Sequence, residues 1–172
     1  MVGLMGSGKS TVGRCVAAVS GRIYVDNDTT IERLAGRPTE ELARAGGTVL
    51  HEWEAVYVRH AVGLGPVVAG VPASVADRSA DLELLEGSGL VVYLRCRPEV
   101  LAARVARDAP RPWLSTAAVG VEPMLREMYD ARDVALRRHA HLVLDAARSV
   151  PQLVGDVLAA CAVGSSPGSG TG

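Results

Sequence analysis

Apolar and polar positions along this chain fall into two alternating kinds of segment. Short apolar runs at Ile23 to Asp26, Val67 to Ala69, Val91 to Arg95 and His141 to Leu144 read as strands. Longer stretches, with apolar residues three and four positions apart, read as helices: Ser10 to Val19, Thr29 to Leu34, Thr39 to Ala45, Val49 to Val62, Pro98 to Arg107, Glu122 to Arg138 and Val150 to Cys161. Short apolar strands between longer helices predict an α/β fold, a parallel sheet covered by helices on both faces. Ligands in such folds gather where strands end and helices begin. Residues 108–121 hold Pro110 and Pro112 and show no periodicity, so this stretch is the expected lid. From Gly164 to Gly172 the chain is only Gly, Ser, Pro and Thr, which predicts a disordered tail after one domain of residues 1–163.

At the junction of the first apolar residues and the first helix stands Gly3-Leu4-Met5-Gly6-Ser7-Gly8-Lys9-Ser10, a complete G-x-x-x-x-G-K-[ST] phosphate-binding loop. Lys9 is the only lysine in the chain; every other basic residue is Arg or His. An ammonium kept where the composition otherwise favours guanidinium suits a compact point charge folded over a polyphosphate. Gly6, Ser7, Gly8, Lys9, Ser10 and Thr11 are therefore the expected nucleotide contacts. Their amides and the helix dipole face the phosphates, and the Ser10 hydroxyl faces the Mg²⁺ that accompanies ATP. Only Met1 and Val2 precede Gly3, fewer residues than a central strand normally has, which gives the expectation that the recorded start lies inside the first strand.

Composition narrows the class. With 172 residues, 48% of them hydrophobic, the chain suffices for one well-buried core. A formal net charge of −1 leaves no basic excess for nucleic acid, and no apolar run reaches membrane-spanning length, so a cytoplasmic monomer acting on a small molecule is expected. Cys15, Cys96 and Cys161 are odd in number and widely spaced, which suits reduced thiols with no assigned chemistry.

Asp26 and Asp28 are two apart in a segment that reads as extended, so both are expected on one face, aimed at the phosphate-transfer site. The alternative is a helix cap, with Asp28 at the N-cap and Glu32 in the first turn. Arg111 stands before Pro112 in the expected lid, where a guanidinium can close over the γ-phosphate; solvated lid charge is the other reading.

The blocks Met5 to Arg14, Tyr24 to Glu32 and Arg111-Pro112-Trp113-Leu114, in this order and spacing, resemble the shikimate kinase family. The resemblance implies a three-layer P-loop fold with a sheet of about five strands, a substrate-binding segment at about 29–62, and a lid. It also implies transfer of the γ-phosphate of ATP to the 3-hydroxyl of shikimate with Mg²⁺, a step of aromatic amino acid biosynthesis. By the same resemblance Asp26 holds Mg²⁺ through water, Asp28 orients or deprotonates the hydroxyl, and Arg132 meets the substrate carboxylate, unless it is one more solvated helix arginine. Arg104 and Pro151 sandwich adenine, and Glu54 braces the substrate side.

The acceptor side departs from the pattern. The family's Phe-Arg-x-x-Glu reads Leu50-His51-Glu52-Trp53-Glu54 here, so His51 stands where a carboxylate-binding Arg is expected. The family's Gly-Gly-Gly turn reads Gly70-Val71-Pro72, and Pro72 has no amide hydrogen to donate. These changes spare the nucleotide side and leave open a kinase for another polyhydroxylated acceptor, such as a cyclitol or sugar acid, or a non-catalytic ATP-binding protein.

Overall fold

The computed structural model describes residues 1–107 and 120–164. In chain order the elements are α1 (Lys9–Ser20), β1 (Tyr24–Val25), α2 (Asn27–Ala35), α3 (Thr39–Ala45), α4 (Gly47–Gly63), β2 (Val68–Ala69), α5 (Ser79–Ser88), β3 (Val92–Arg95), α6 (Pro98–Val105), α7 (Val121–His139), β4 (Leu142–Asp145) and α8 (Val150–Gly164). A 3-10 turn at Ala73–Asp77 precedes α5. Neither it nor α5 stands out in the apolar pattern. The reason is visible in α5: Asp81 is a buried residue on its inward side, held by Arg59 Nη1 at 3.3 Å, so a charge occupies a position where periodicity looks for an apolar residue.

The strands form two parallel pairs, β1 with β2 and β3 with β4, in registers that include Val25 opposite Ala69 and Leu94 opposite Leu144. Val2 joins the pairs, bridging Val71 on one side and Tyr93 on the other. Its amide donates to the Val92 carbonyl at 2.8 Å and its carbonyl accepts from Leu94 N–H at 2.9 Å. Among the described residues there are thus four strands with one residue in the central place, where about five strands were expected. Two residues before the loop make the bridge but no longer ladder. The spatial order β1, β2, Val2, β3, β4 puts the loop that follows Val2 at the point where connections diverge to the two halves of the sheet, the usual ligand position in such folds.

Leu4, Val12, Val16, Ile31, Tyr57, Leu94, Leu101, Leu125 and Leu153 belong to one continuous core around the sheet. Tyr57 is fully buried, and its hydroxyl donates to the Gly70 carbonyl at 2.6 Å, tying α4 to the end of β2. Among the described residues no helix is long and apolar enough to cross a membrane.

The end of β3 is tied to α7 by Asp133, which is buried. Its carboxylate accepts from Tyr93 OH (3.1 Å), Arg95 Nε (2.8 Å) and Arg137 Nε (2.9 Å). Burial alone would raise this carboxyl, but the hydrogen bonds from Arg95 and Tyr93 and the charges of Arg95 and Arg137 outweigh it and hold Asp133 below the ordinary carboxylate range. A depressed carboxyl stabilises the fold above its unfolded value, near pH 3.9, and that contribution fades as pH falls through the lower native value. In urea titrations Asp133→Asn is expected to lower stability at pH 7 by about 1–3 kcal/mol and to flatten the acid limb of the stability profile. A variant with wild-type stability and an unchanged acid limb would show that this cluster contributes nothing.

Candidate active site

A cleft of about 630 Å³ opens at the ends of the strands, with the phosphate-binding loop as its floor. Gly6 and Gly8 have φ of 76° and 90°, left-handed values that turn the loop back on itself and start α1. A side chain at Gly8 would meet no atom within 4 Å, so the space above its backbone is open, as a seat for phosphate oxygens requires. Gly6 is different: a Cβ there would come within 3.0 Å of Val105 and 3.2 Å of the Leu101 carbonyl, so glycine lets the loop lie against α6. Ser7 is buried with its hydroxyl lacking a partner among the described residues. Lys9 Nζ donates to the Gly3 carbonyl at 2.6 Å and to Leu4 at 3.2 Å, which folds the ammonium back across the loop.

Ser10 Oγ donates to Asp26 Oδ2 at 3.3 Å, joining the start of α1 to the end of β1. This hydroxyl and carboxylate side by side match the donor pair expected for a hydrated divalent cation. Asp26 has extended backbone angles, φ −87° and ψ 133°, and is the N-cap of α2, accepting from Thr29 N–H at 3.4 Å. Asp28 lies in the first turn of α2. The two carboxylates therefore do not share a face of one extended segment, and the cap is Asp26, where the alternative reading had Asp28. The helix begins at Asn27, two residues before the expected Thr29, because the carboxylate of Asp26 caps its first turn by accepting from the Thr29 amide. Asp28 nonetheless lines the cleft with the loop, and Asn27 Nδ2 donates to its Oδ1 at 2.8 Å.

Around the nucleotide end stand Arg104, Arg107 and Arg148 together with Lys9. Arg104 donates to the Gly6 carbonyl at 3.3 Å and to the Ala146 carbonyl at 2.7 Å, bracing α6 between the loop and the end of β4. Pro151 occupies the first turn of α8 and is exposed; its neighbours Val150 and Leu153 form the cleft wall. Arg148 escaped the sequence reading, although the rule placing ligands beyond strand ends singles out the residues just after β4. Arg111 lies outside the described residues, as does the expected lid apart from Gly120 and Val121, which open α7.

The acceptor end is lined by Asp28, His51, Glu54, Pro72, Ser74 and Arg132. Gly70 is not in its wall. That glycine is packed from behind, since a Cβ would lie 2.4 Å from the Tyr24 hydroxyl, and Pro72 to Ser74 take its place in the cleft. Ser74 Oγ makes a short hydrogen bond to Glu54 Oε2, and His51 Nε2 lies 3.9 Å from the same oxygen. Burial raises the Glu54 carboxyl, although the Ser74 hydrogen bond and the charges of His51 and Arg132 pull the other way. Arg132 is buried, and its Nε and Nη2 donate to Asp77 Oδ1 and Oδ2 at 3.0 and 2.6 Å. The guanidinium thus reaches the cleft already paired by a residue 55 positions away, which no local pattern reveals.

A family model described as shikimate kinase matches residues 5–162. The chain is 36% identical over 159 residues to the shikimate kinase of Burkholderia thailandensis, covering 91% of this chain and 85% of that one. To the shikimate kinase of Pseudomonas entomophila it is 33% identical over 155 residues, covering 90% and 89%. Among solved structures, shikimate kinase from Acinetobacter baumannii in complex with shikimate matches with a TM-score of 0.84 at 27% identity, over 96% of this chain and 94% of that one. A phosphate-binding loop facing an acidic helix start, on this sheet and with these relatives, has one reading: the chain belongs to the shikimate kinase family, phosphotransferases with an alcohol group as acceptor.

Proposed function

We propose that this chain transfers the γ-phosphate of ATP to the 3-hydroxyl of shikimate. The observation that carries the reading is the placement of Lys9 and Ser10 on the floor of one cleft and Asp28 on its wall. An alcohol lying between Asp28 and the loop has its oxygen aimed at a phosphate seated there. Asp28 accepts the hydroxyl hydrogen, orients the attacking oxygen and takes its proton as the new P–O bond forms. Lys9, swung from the Gly3 and Leu4 carbonyls onto the β and γ oxygens, and the loop amides hold the negative charge that moves onto the bridging oxygen of the leaving ADP.

Mg²⁺ fits the pair of Ser10 and Asp26. Among the described residues no group of three or more His, Cys, Asp or Glu could hold a metal, so the ion would arrive with the nucleotide, bound to one hydroxyl and, through water, one carboxylate. When bound it neutralises phosphate charge. Arg104 and the Val150 to Leu153 turn would hold the base, and Arg111 would close over the phosphates.

A neutral polyhydroxylated acceptor such as a cyclitol is the second reading, favoured by the pairing of Arg132 with Asp77 and by Pro72 in the wall, both of which reduce what a carboxylate can gain at the acceptor end. An acceptor screen by coupled ADP release over shikimate, quinate, gluconate and neutral cyclitols separates the two. Preference for shikimate supports the proposal, and turnover of a neutral cyclitol with none of shikimate reverses it.

A further inference from the structure

Among the described residues, Arg132 is the one arginine in the wall of the acceptor end, where it stands with the carboxylates of Asp28 and Glu54. What it can offer an acceptor is set by a residue outside that wall. Asp77 takes Nε and Nη2 together, one carboxylate oxygen to each, at 3.0 and 2.6 Å. This two-point pairing occupies one of the guanidinium edges that match a carboxylate and sets a compensating negative charge against the cation. The partners are unequally placed: the Arg132 side chain is 10% exposed and that of Asp77 41%. Water can solvate Asp77 when the pair parts, whereas the buried guanidinium needs a counter-charge. Asp77 closes the 3-10 turn whose first residues, Ala73 and Ser74, line the cleft, so one short element supplies both the wall and the counter-charge behind it.

We propose that Asp77 is a specificity-determining residue: by holding Arg132 it sets how strongly the acceptor end prefers a carboxylated polyol to a neutral one of the same shape. The inference rests on the reading of the acceptor as shikimate. With Asp77 in place, an acceptor carboxylate meets a cation whose charge is already matched, so the carboxylate contributes little and an uncharged ester in its position is tolerated. Without that negative charge the buried guanidinium has one partner left to find, the carboxylate of the acceptor. Asp77 is not in the cleft wall, so its effect belongs to acceptor binding and not to the chemical step.

The test compares kcat/KM for shikimate with kcat/KM for its methyl ester, which keeps the ring and hydroxyls and lacks the charge. The wild type uses the two within a few-fold of one another. Asp77→Asn keeps an oxygen that accepts from Arg132 and removes the charge; it raises the preference for shikimate about tenfold, the scale of one charge-assisted contact. The gain lies in KM for shikimate, while kcat and KM for ATP keep their wild-type values. Asp77→Glu keeps the wild-type preference. Asp77→Ser, which lets water reach the guanidinium, reproduces the gain and replaces the Asn variant if that protein does not fold. Adding Arg132→Gln to either abolishes the gain, because Asp77 acts through the guanidinium. A wild type that turns over shikimate and rejects the ester, a preference unchanged in the folded Asn or Ser variant, or an equal loss toward both acceptors overturns this inference alone. Turnover of neither shikimate nor its ester overturns the functional reading and this inference with it.

Discussion

Asp28→Asn is expected to lower kcat for phosphoryl transfer by about 10²- to 10⁴-fold, the usual contribution of a positioned general base. The substitution keeps side-chain size and leaves the helix start intact, because the N-cap of α2 is Asp26. Folding and ATP affinity should be unchanged, so single-turnover measurements at saturating ATP isolate the chemical step. The expected loss appears in kcat with little change in KM for ATP, since Asp28 lies on the cleft wall, apart from the loop proposed to seat the phosphates. A kcat close to wild type would mean that the proton leaves by another route and that Asp28 serves only the first turn of α2.

Lys9→Met should have the next largest effect, a fall of about 10²- to 10³-fold in kcat/KM for ATP, comparable to the loss of one preorganised donor to developing charge. The ammonium spans two carbonyls of its own loop, so a modest loss of stability accompanies the kinetic one. Lys9→Arg should not restore activity. The planar fork does not fit a place made for a point charge, even though the chain uses Arg at almost every other cationic position. Activity of the Met variant within a few-fold of wild type would remove Lys9 from the mechanism.

Local signals made much of this readable in advance. The helix at Thr39–Ala45 has the expected bounds, set off by Pro38 and Gly46, and β3 and β4, short apolar runs, lie within one residue of theirs, because breakers and apolar runs are encoded within a few residues. The loop was legible for the same reason: Gly3, Gly6, Gly8, Lys9 and Ser10 do their work at fixed spacings within eight residues. What sequence could not give was pairing over distance. Asp77 is remote from Arg132, and the commitment of one to the other changes what a carboxylate-binding arginine can offer. Asp26 and Asp28 show the other limit. Alternation along a strand puts them on one face, but the capping power of Asp26 ends the strand at Val25 and sets the two carboxylates on different backbone geometries. The same competition between a buried charge and apolar periodicity concealed α5.

The nucleotide side carries a complete phosphate-binding loop, whereas the acceptor end pairs its arginine internally and presents an imidazole to the cleft. Chemistry and acceptor affinity should therefore respond to different variants: Asp28 and Lys9 through kcat or ATP, Asp77 through KM for the acceptor.

The most direct test of the central claim is ADP release from purified protein with ATP and Mg²⁺, measured with and without shikimate, alongside the Asp28→Asn variant. Shikimate-dependent release that yields one phosphorylated shikimate per ADP and is lost in the variant is the expected result. ATP binding without any shikimate-dependent release, or release equal in the wild type and the variant, would contradict it.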